Sequence, residues 1–389
     1  MAWTRNRPIG LTYLDASQAA PGYTLFSSVR GHHATLLDLD GQVVHQWHHP
    51  EGIQHLHVLE SGRLLIQGLP PEDAGGAEKI GGSAGVLAEL DWESNVLWEH
   101  RDVMMHHDYV RLANGNTLYL AWDKLPQELH GRVRGGHSHD DDPEQMWADI
   151  VREVSVDGEI VSEWRSWEHL DFADHVICPL ESHKEWTHAN SLALMPNDDW
   201  LISFRLTSVV AIIDAHTGEV TWQWGRGELS HQHNAQVLAN GNILIFDNGC
   251  HRPRGPTYSR IVEINPESNE IVWSYHAEPL VAFYSFMVSG AQRLGNGNTL
   301  ITEGATGRLF EVSPDHEIVW EYISPWTVPS TFGPTPAVFR CYRYPADHAL
   351  LAGRVLDPGR HGELNGRIAN GEILREPEYH PETQNAPAA

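Results

Sequence analysis

The sequence predicts an all-β chain, a six-bladed β-propeller of four-stranded antiparallel blades, and three observations carry that expectation. An apolar strand ending in an Asn-Gly turn recurs along the chain. It is clearest at residues 112–118, 238–244 and 294–300, with weaker copies at Ser61-Gly62 and Asn197-Asp198. A hairpin closing on Trp follows at 95–98, 219–222, 270–273 and 317–320. The intervals between copies vary in length but read as strand and turn throughout, as in a radial array of blades. Asn-Gly supplies the positive φ of a type I′ hairpin, so it marks the strand joints.

Taken in order, the first blade falls at 22–47, with Tyr23-Thr24-Leu25-Phe26-Ser27 as its second strand. Its inner strand is missing locally, and either 10–15 or 338–344 is expected to supply it. Terminal segments would then close the ring and remove exposed sheet edges. Blades two to six follow at about 52–100, 105–164, 186–224, 231–275 and 285–322. The expected organisation is one propeller over 1–350 and a polar tail, an arm or disordered segment, over 351–389.

Composition limits the function classes. The 389 residues suffice for two or three ordinary domains, but a closed propeller uses this length as one unit. The apolar share of 41% and the 15 Trp can fill the layers between blades. With 26 Lys and Arg against 52 Asp and Glu, neither a nucleic-acid partner nor an anionic membrane surface is expected. Residues 1–22 lack the apolar run of a signal peptide, and no stretch approaches a membrane span. The 3 cysteines (Cys178, Cys250, Cys341) form no CxxC pair, so a reducing, cytoplasmic location is expected. The compositional oddity is 26 histidines.

The spare residues are unevenly distributed. Joints within the outer and inner hairpins are tight (Asn114-Gly115, Asn240-Gly241, Asp157-Gly158, Thr217-Gly218). The long segments 68–85, 124–147, 165–185, 250–258 and 276–284 all belong to the opposite face. Loops on a rigid scaffold are the usual place for a site. Aligned on the turn, the inner strands carry Gly52, Met105, His188, His231 and Met287 nine residues before it. Seven before it stand Gln54, His107, Asn190, His233 and Ser289; six before it stand His55, Asp108, Ser191, Asn234 and Gly290. Positions nine and seven share a strand face. Arg205 and Asn248 both lie eight residues after the turn, and Arg260 and Arg308 open third strands where blades two and four carry Val86 and Val209. These groups are expected to converge at the loop-rich mouth of the channel. The run His137-Ser138-His139-Asp140-Asp141-Asp142 is read as a solvated loop.

Several stretches resemble the arylsulfotransferase (arylsulfate sulfotransferase) family, which is six-bladed. They are Trp186-Thr187-His188-Ala189-Asn190-Ser191, Phe246-Asp247-Asn248-Gly249 with Tyr258-Ser259-Arg260-Ile261-Val262-Glu263, and 289–294 running into 298–301, Gly307-Arg308 and 319–322. The likeness spans about 22–344. It implies transfer of a sulfuryl group between phenols, without a nucleotide donor, through a sulfated histidine. It also implies that His188 and Arg260 hold the sulfuryl oxygens. Where the resemblance implies the family's nucleophile, this chain carries Arg308 and no histidine.

Sulfuryl transfer needs a nucleophile of near-neutral pKa, cationic donors for charged oxygens and an acid for the leaving phenolate. Imidazole suits the first role, and either His231 or His233 can be nucleophile or acid. Arg205, Arg260 and Arg308 can hold sulfate, with His55, His107, Asn190 and Asn248 as further polar contacts. Trp186, Phe283, Tyr284 and Phe286 can wall an aryl pocket. The substrate is then a small aromatic or anionic molecule, with no cofactor. The competing reading is a divalent-metal hydrolase or lyase with His107, His188, His231 and His233 as ligands. A non-catalytic interaction scaffold is the third.

Overall fold

In a computed structural model of the protein, residues 9–71, 80–137, 145–330 and 333–376 are described. The chain is an all-β, six-bladed propeller of antiparallel four-stranded sheets. The Asn-Gly turns build the hairpins, but not as type I′. Gly115, Gly241 and Gly297 alone take positive φ in their turns (90°, 83° and 91°). Gly115 N bonds Leu112 O at 2.9 Å, and Leu112 N bonds Asn116 O at 2.8 Å. This is a type I turn followed by a left-handed glycine bulge. The asparagine contributes its side chain instead. Asn114 Oδ1 accepts the Asn116 backbone N–H at 2.9 Å, and Asn240 does the same for Asn242 at 3.0 Å.

Contacts divide the chain into two units. The first comprises Met1–Pro70, Val86–Arg101 and Gln292–Ala389. Its blade one orders Val338–Tyr344, Tyr23–Ser28, His33–Leu37 and Val43–His48. The late segment is therefore the missing first strand, with Tyr344 opposite Tyr23 and Val338 opposite Ser28. Gly10–Leu14 instead adds a fifth strand to the outer edge of blade six, beside Ile318–Ile323. Blade two runs from His55–Val58 to Val96–Arg101. Arg343 on the closing strand meets Glu311 of blade six, both fully buried. Glu311 also accepts from Asn298 Nδ2 and Ala20 N.

Within the polar tail, the described residues up to 376 fold onto this unit as an arm. A short helix, Gly362–Ala369, places Asn365 against the backbone of Val43, accepting from its N–H at 2.8 Å and donating to its carbonyl at 3.0 Å. Ile368 joins the core of Phe26, Trp320 and Tyr322. Leu374–Arg375 pairs in parallel with Trp326–Thr327.

The second unit comprises Pro71–Gly85 and Asp102–Ala291. It holds blade three (Met105–Arg111, Thr117–Lys124, Trp147–Val154, Ile160–Arg165), blade four (Ala189–Leu194 to Val220–Trp224) and blade five (His233–Val237 to Glu270–Tyr275). The apolar faces of blades three and four pack together through Leu118, Leu120, Ala148, Val151, Ile202, Phe204 and Ala211. The long segment after blade three is structured: Ile177–Ser182 pairs in parallel with Gly135–His137. Beyond His137, the His-Ser-His-Asp run lies outside the described residues. No helix among the described residues is long and apolar enough to cross a membrane.

Candidate functional site

The entries of several inner strands carry unusual backbone. Nine residues before the turn, Gly52, His188 and His231 all take left-handed φ (83°, 53° and 57°). Glycine adopts this conformation freely. A histidine does not, so the surrounding structure must hold it there. At His188 the holding group is Asp149 of blade three, a buried carboxylate that accepts from Thr187 Oγ1 and, at 2.9 Å, from Ala189 N. Burial pushes the Asp149 carboxyl well above its ordinary value, and the Thr187 hydroxyl opposes this. His106, stacked on Trp122 with ring centroids 3.8 Å apart, stands 3.3 Å from Asp149 Oδ1. Burial drives His106 well below the ordinary imidazole value.

His107 and His188 meet here, ring centroids 4.6 Å apart. His188 Nδ1 lies 2.7 Å from Glu185 Oε2, which fixes the imidazole's orientation. His107 is itself left-handed (φ 44°), and its N–H bonds Gly82 O at 2.9 Å. A Cβ on Gly82 would stand 2.1 Å from the His107 ring, so the close approach demands glycine.

His233 opens the first strand of blade five and is paired with Asn248, just past the end of the second. Its Nδ1 lies 2.7 Å from Asn248 Oδ1. The amide orientation is not arbitrary, because Asn248 Nδ2 donates to the carbonyls of Ser285 (2.9 Å) and Val288 (3.1 Å). Its oxygen must therefore face the ring. His233 consequently carries its proton on Nδ1 and, when neutral, its lone pair on Nε2. Asn190, in the same repeat position as His233, donates to Gln232 O at 2.8 Å.

A third grouping surrounds His231. Its Nδ1 bonds Cys250 O at 2.8 Å, and its Nε2 stands 3.1 Å from Glu181 Oε1. Arg205 Nη2 reaches the same oxygen at 3.0 Å, and His251 Nδ1 lies 3.6 Å from it. Although burial opposes ionisation, donors around Glu181 hold its carboxyl down at about 2. Burial lowers His231, with Glu181 pulling the other way. Tyr284, whose hydroxyl burial pushes up to about 12, neighbours Cys250.

Several other residues singled out in the sequence are engaged by partners of their own. Arg260 is committed to the buried Asp247, Nε to Oδ2 at 2.8 Å, with Nη2 on Glu228 O at 2.8 Å. Arg308, in the first unit, lies between Glu303 and Glu321 at 3.1 and 2.6 Å. His55, also in that unit, stacks edge-on to His57 and lies 3.4 Å from Arg340. Trp186 and Phe283 are fully buried core residues, stacked against Phe172 and set edge-on to Phe246. Phe286 is half exposed. Of the four imidazoles in the metal reading, only His231 belongs to a set of metal-type donors among the described residues, together with Cys178 and His251. Cys178, Glu181, Cys250 and His251 have no repeat position to betray them. Their one signal is that two of three cysteines fall in the long segments.

A family model described as arylsulfotransferase (ASST) matches residues 79–325, well over half the chain. The chain belongs to the arylsulfotransferase family. The match begins in the second unit's first segment and runs to the end of blade six. Among solved structures, a protein of unknown function from Bacteroides caccae is similar at 15% identity and a TM-score of 0.53, covering 83% of this chain and 99% of that one. A catalytically inactive virginiamycin B lyase from Staphylococcus aureus with quinupristin has a TM-score of 0.45 at 11% identity, covering 81% and 84%. Hydrazine synthase from Kuenenia stuttgartiensis has 0.46 at 12%, covering 78% and 79%. At such identity the Bacteroides likeness speaks for the fold of this arylsulfotransferase-family chain. Among curated proteins none is a match.

Proposed function

We propose that this arylsulfotransferase-family protein moves a sulfuryl group between phenolic compounds without a nucleotide donor, with His233 as nucleophile. The observation that carries the assignment is the Asn248 amide. Anchored by two carbonyls, it accepts the His233 Nδ1 proton and so directs the imidazole lone pair to Nε2. A covalent step at nitrogen requires that tautomer at the start. The resemblance implies a nucleophile position that holds Arg308 here, and the inner-strand histidines are taken as the candidates in its place.

Nε2 attacks the sulfur of an aryl sulfate, and the S–O bond to the aryl group breaks with its electron pair leaving on the phenolate. An acceptor phenolate then attacks the same sulfur, returning the pair to Nε2. His188, oriented by Glu185, and Arg260 are assigned to the sulfuryl oxygens on family likeness. Arg260 shares its charge with Asp247, so its contribution is directional N–H bonds rather than net positive charge. Tyr284 and the half-exposed Phe286 offer aryl contact.

The test is incubation with a nitrophenyl sulfate and a phenol, with no nucleotide donor and with chelator present. Acceptor-dependent nitrophenolate release is expected, with a loss of at least about 100-fold in His233→Ala, the scale of losing a nucleophile. Release that requires a nucleotide sulfate, or that survives His233→Ala intact, would overturn the proposal.

A further inference from the structure

We infer that Cys178, His231 and His251 form a zinc site, with Glu181 as the neighbouring carboxylate, separate from the residues assigned to transfer. The three donor atoms lie within 4.8 Å of one another. They come from three distant segments: the long connection before blade four, the entry of blade five, and the segment after Asn248.

Three of the separations match those around a tetrahedral ion. Zinc bonds of about 2.3 Å to sulfur and about 2.0 Å to nitrogen or oxygen put a sulfur and a nitrogen about 3.5 Å apart, and a nitrogen and an oxygen about 3.3 Å apart. Cys178 Sγ stands 3.6 Å from His251 Nδ1. Glu181 Oε1 stands 3.1 Å from His231 Nε2 and 3.6 Å from His251 Nδ1.

The second observation is His231 itself. The ring is 2% exposed, and its Nδ1 is bound to the Cys250 carbonyl at 2.8 Å, which places the lone pair of the neutral ring on Nε2. That Nε2 is buried and faces, at 3.1 Å, the same Glu181 oxygen that Arg205 approaches at 3.0 Å and His251 at 3.6 Å. A ring nitrogen and a carboxylate oxygen at that distance share either a proton or a cation bound to both, and the Cys178 thiol and the His251 ring beside them supply the further ligands a cation needs. An imidazole whose far nitrogen is held by a backbone carbonyl is also the usual arrangement of a metal-binding histidine. A thiolate and a carboxylate would cancel the charge of a zinc ion, so Arg205, bound to Glu181 at 3.0 Å, is a tolerable neighbour. Thiolate with imidazole selects zinc over magnesium or calcium.

The test uses the full chain, stripped with chelator and dialysed against zinc chloride. One zinc per chain is expected, and Cys178→Ser and His251→Ala should each weaken binding by at least about 10-fold. His216→Ala, an exposed histidine in a blade-four turn, should leave binding unchanged. Cobalt(II) in place of zinc should give a thiolate-to-metal charge-transfer band that Cys178→Ser removes. Substoichiometric uptake by the wild type, or full retention of zinc by both variants, would overturn the site. The readout is bound metal, so neither result depends on transfer at His233.

Discussion

At the scale of single residues, protonation is settled by neighbours far off in sequence. His175 is the sharpest case. It is 1% exposed, close to Thr207 and Phe204, and burial holds it at about 4 against an ordinary 6.5, with Asp174 opposing. Between those values the unfolded chain binds a proton that the folded chain excludes. Stability from this group is therefore complete above about pH 6.5 and declines as pH falls through 4, by on the order of 3 kcal/mol. Urea midpoints measured from pH 7 to pH 4 should fall less steeply in His175→Gln than in the wild type. The repeat alignment makes His188, His231 and His233 visible, because each stands where other blades carry Gly, Met or Gln. It does not show what each imidazole faces. Glu185, Asn248 and Glu181 become their partners only once strands and loops are in place.

At the scale of elements, the hairpins are legible in the sequence and their detailed geometry is not. Asn-Gly serves both a type I′ turn and a type I turn with a glycine bulge, and only coordinates separate them. Strand pairing poses a similar ambiguity. The segments at 10–15 and 338–344 both read as strands, and composition does not state a neighbour. The closing strand's seat is fixed by Arg343, fully buried with Glu311, its guanidinium also donating to Thr24 Oγ1 and Ala20 O. Burial lowers Arg343, and Glu311 counters it. Removing the carboxylate would leave a buried charge without its partner. Glu311→Ala should therefore cost about 3–5 kcal/mol, seen as a lower denaturant midpoint at unchanged slope.

At the scale of the whole molecule, a repeated pattern announces a propeller because every blade solves the same packing problem. What lies outside the repeat is harder to read. The tail beyond Ala352 is polar in composition, yet Asn365 and Ile368 seat it against blades one and six. The donors around His231 come largely from the long segments, where no periodicity exists to align. The same division holds for function: the scaffold is common to the family, and the chemistry rests on side chains that the repeat does not dictate. The most direct measurement of the central claim is a rapid-mixing experiment with nitrophenyl sulfate and no acceptor. Transfer through His233 predicts a burst of about one nitrophenolate per chain followed by near silence, absent in His233→Ala. Steady release without a burst, or a burst of equal size in that variant, would contradict it.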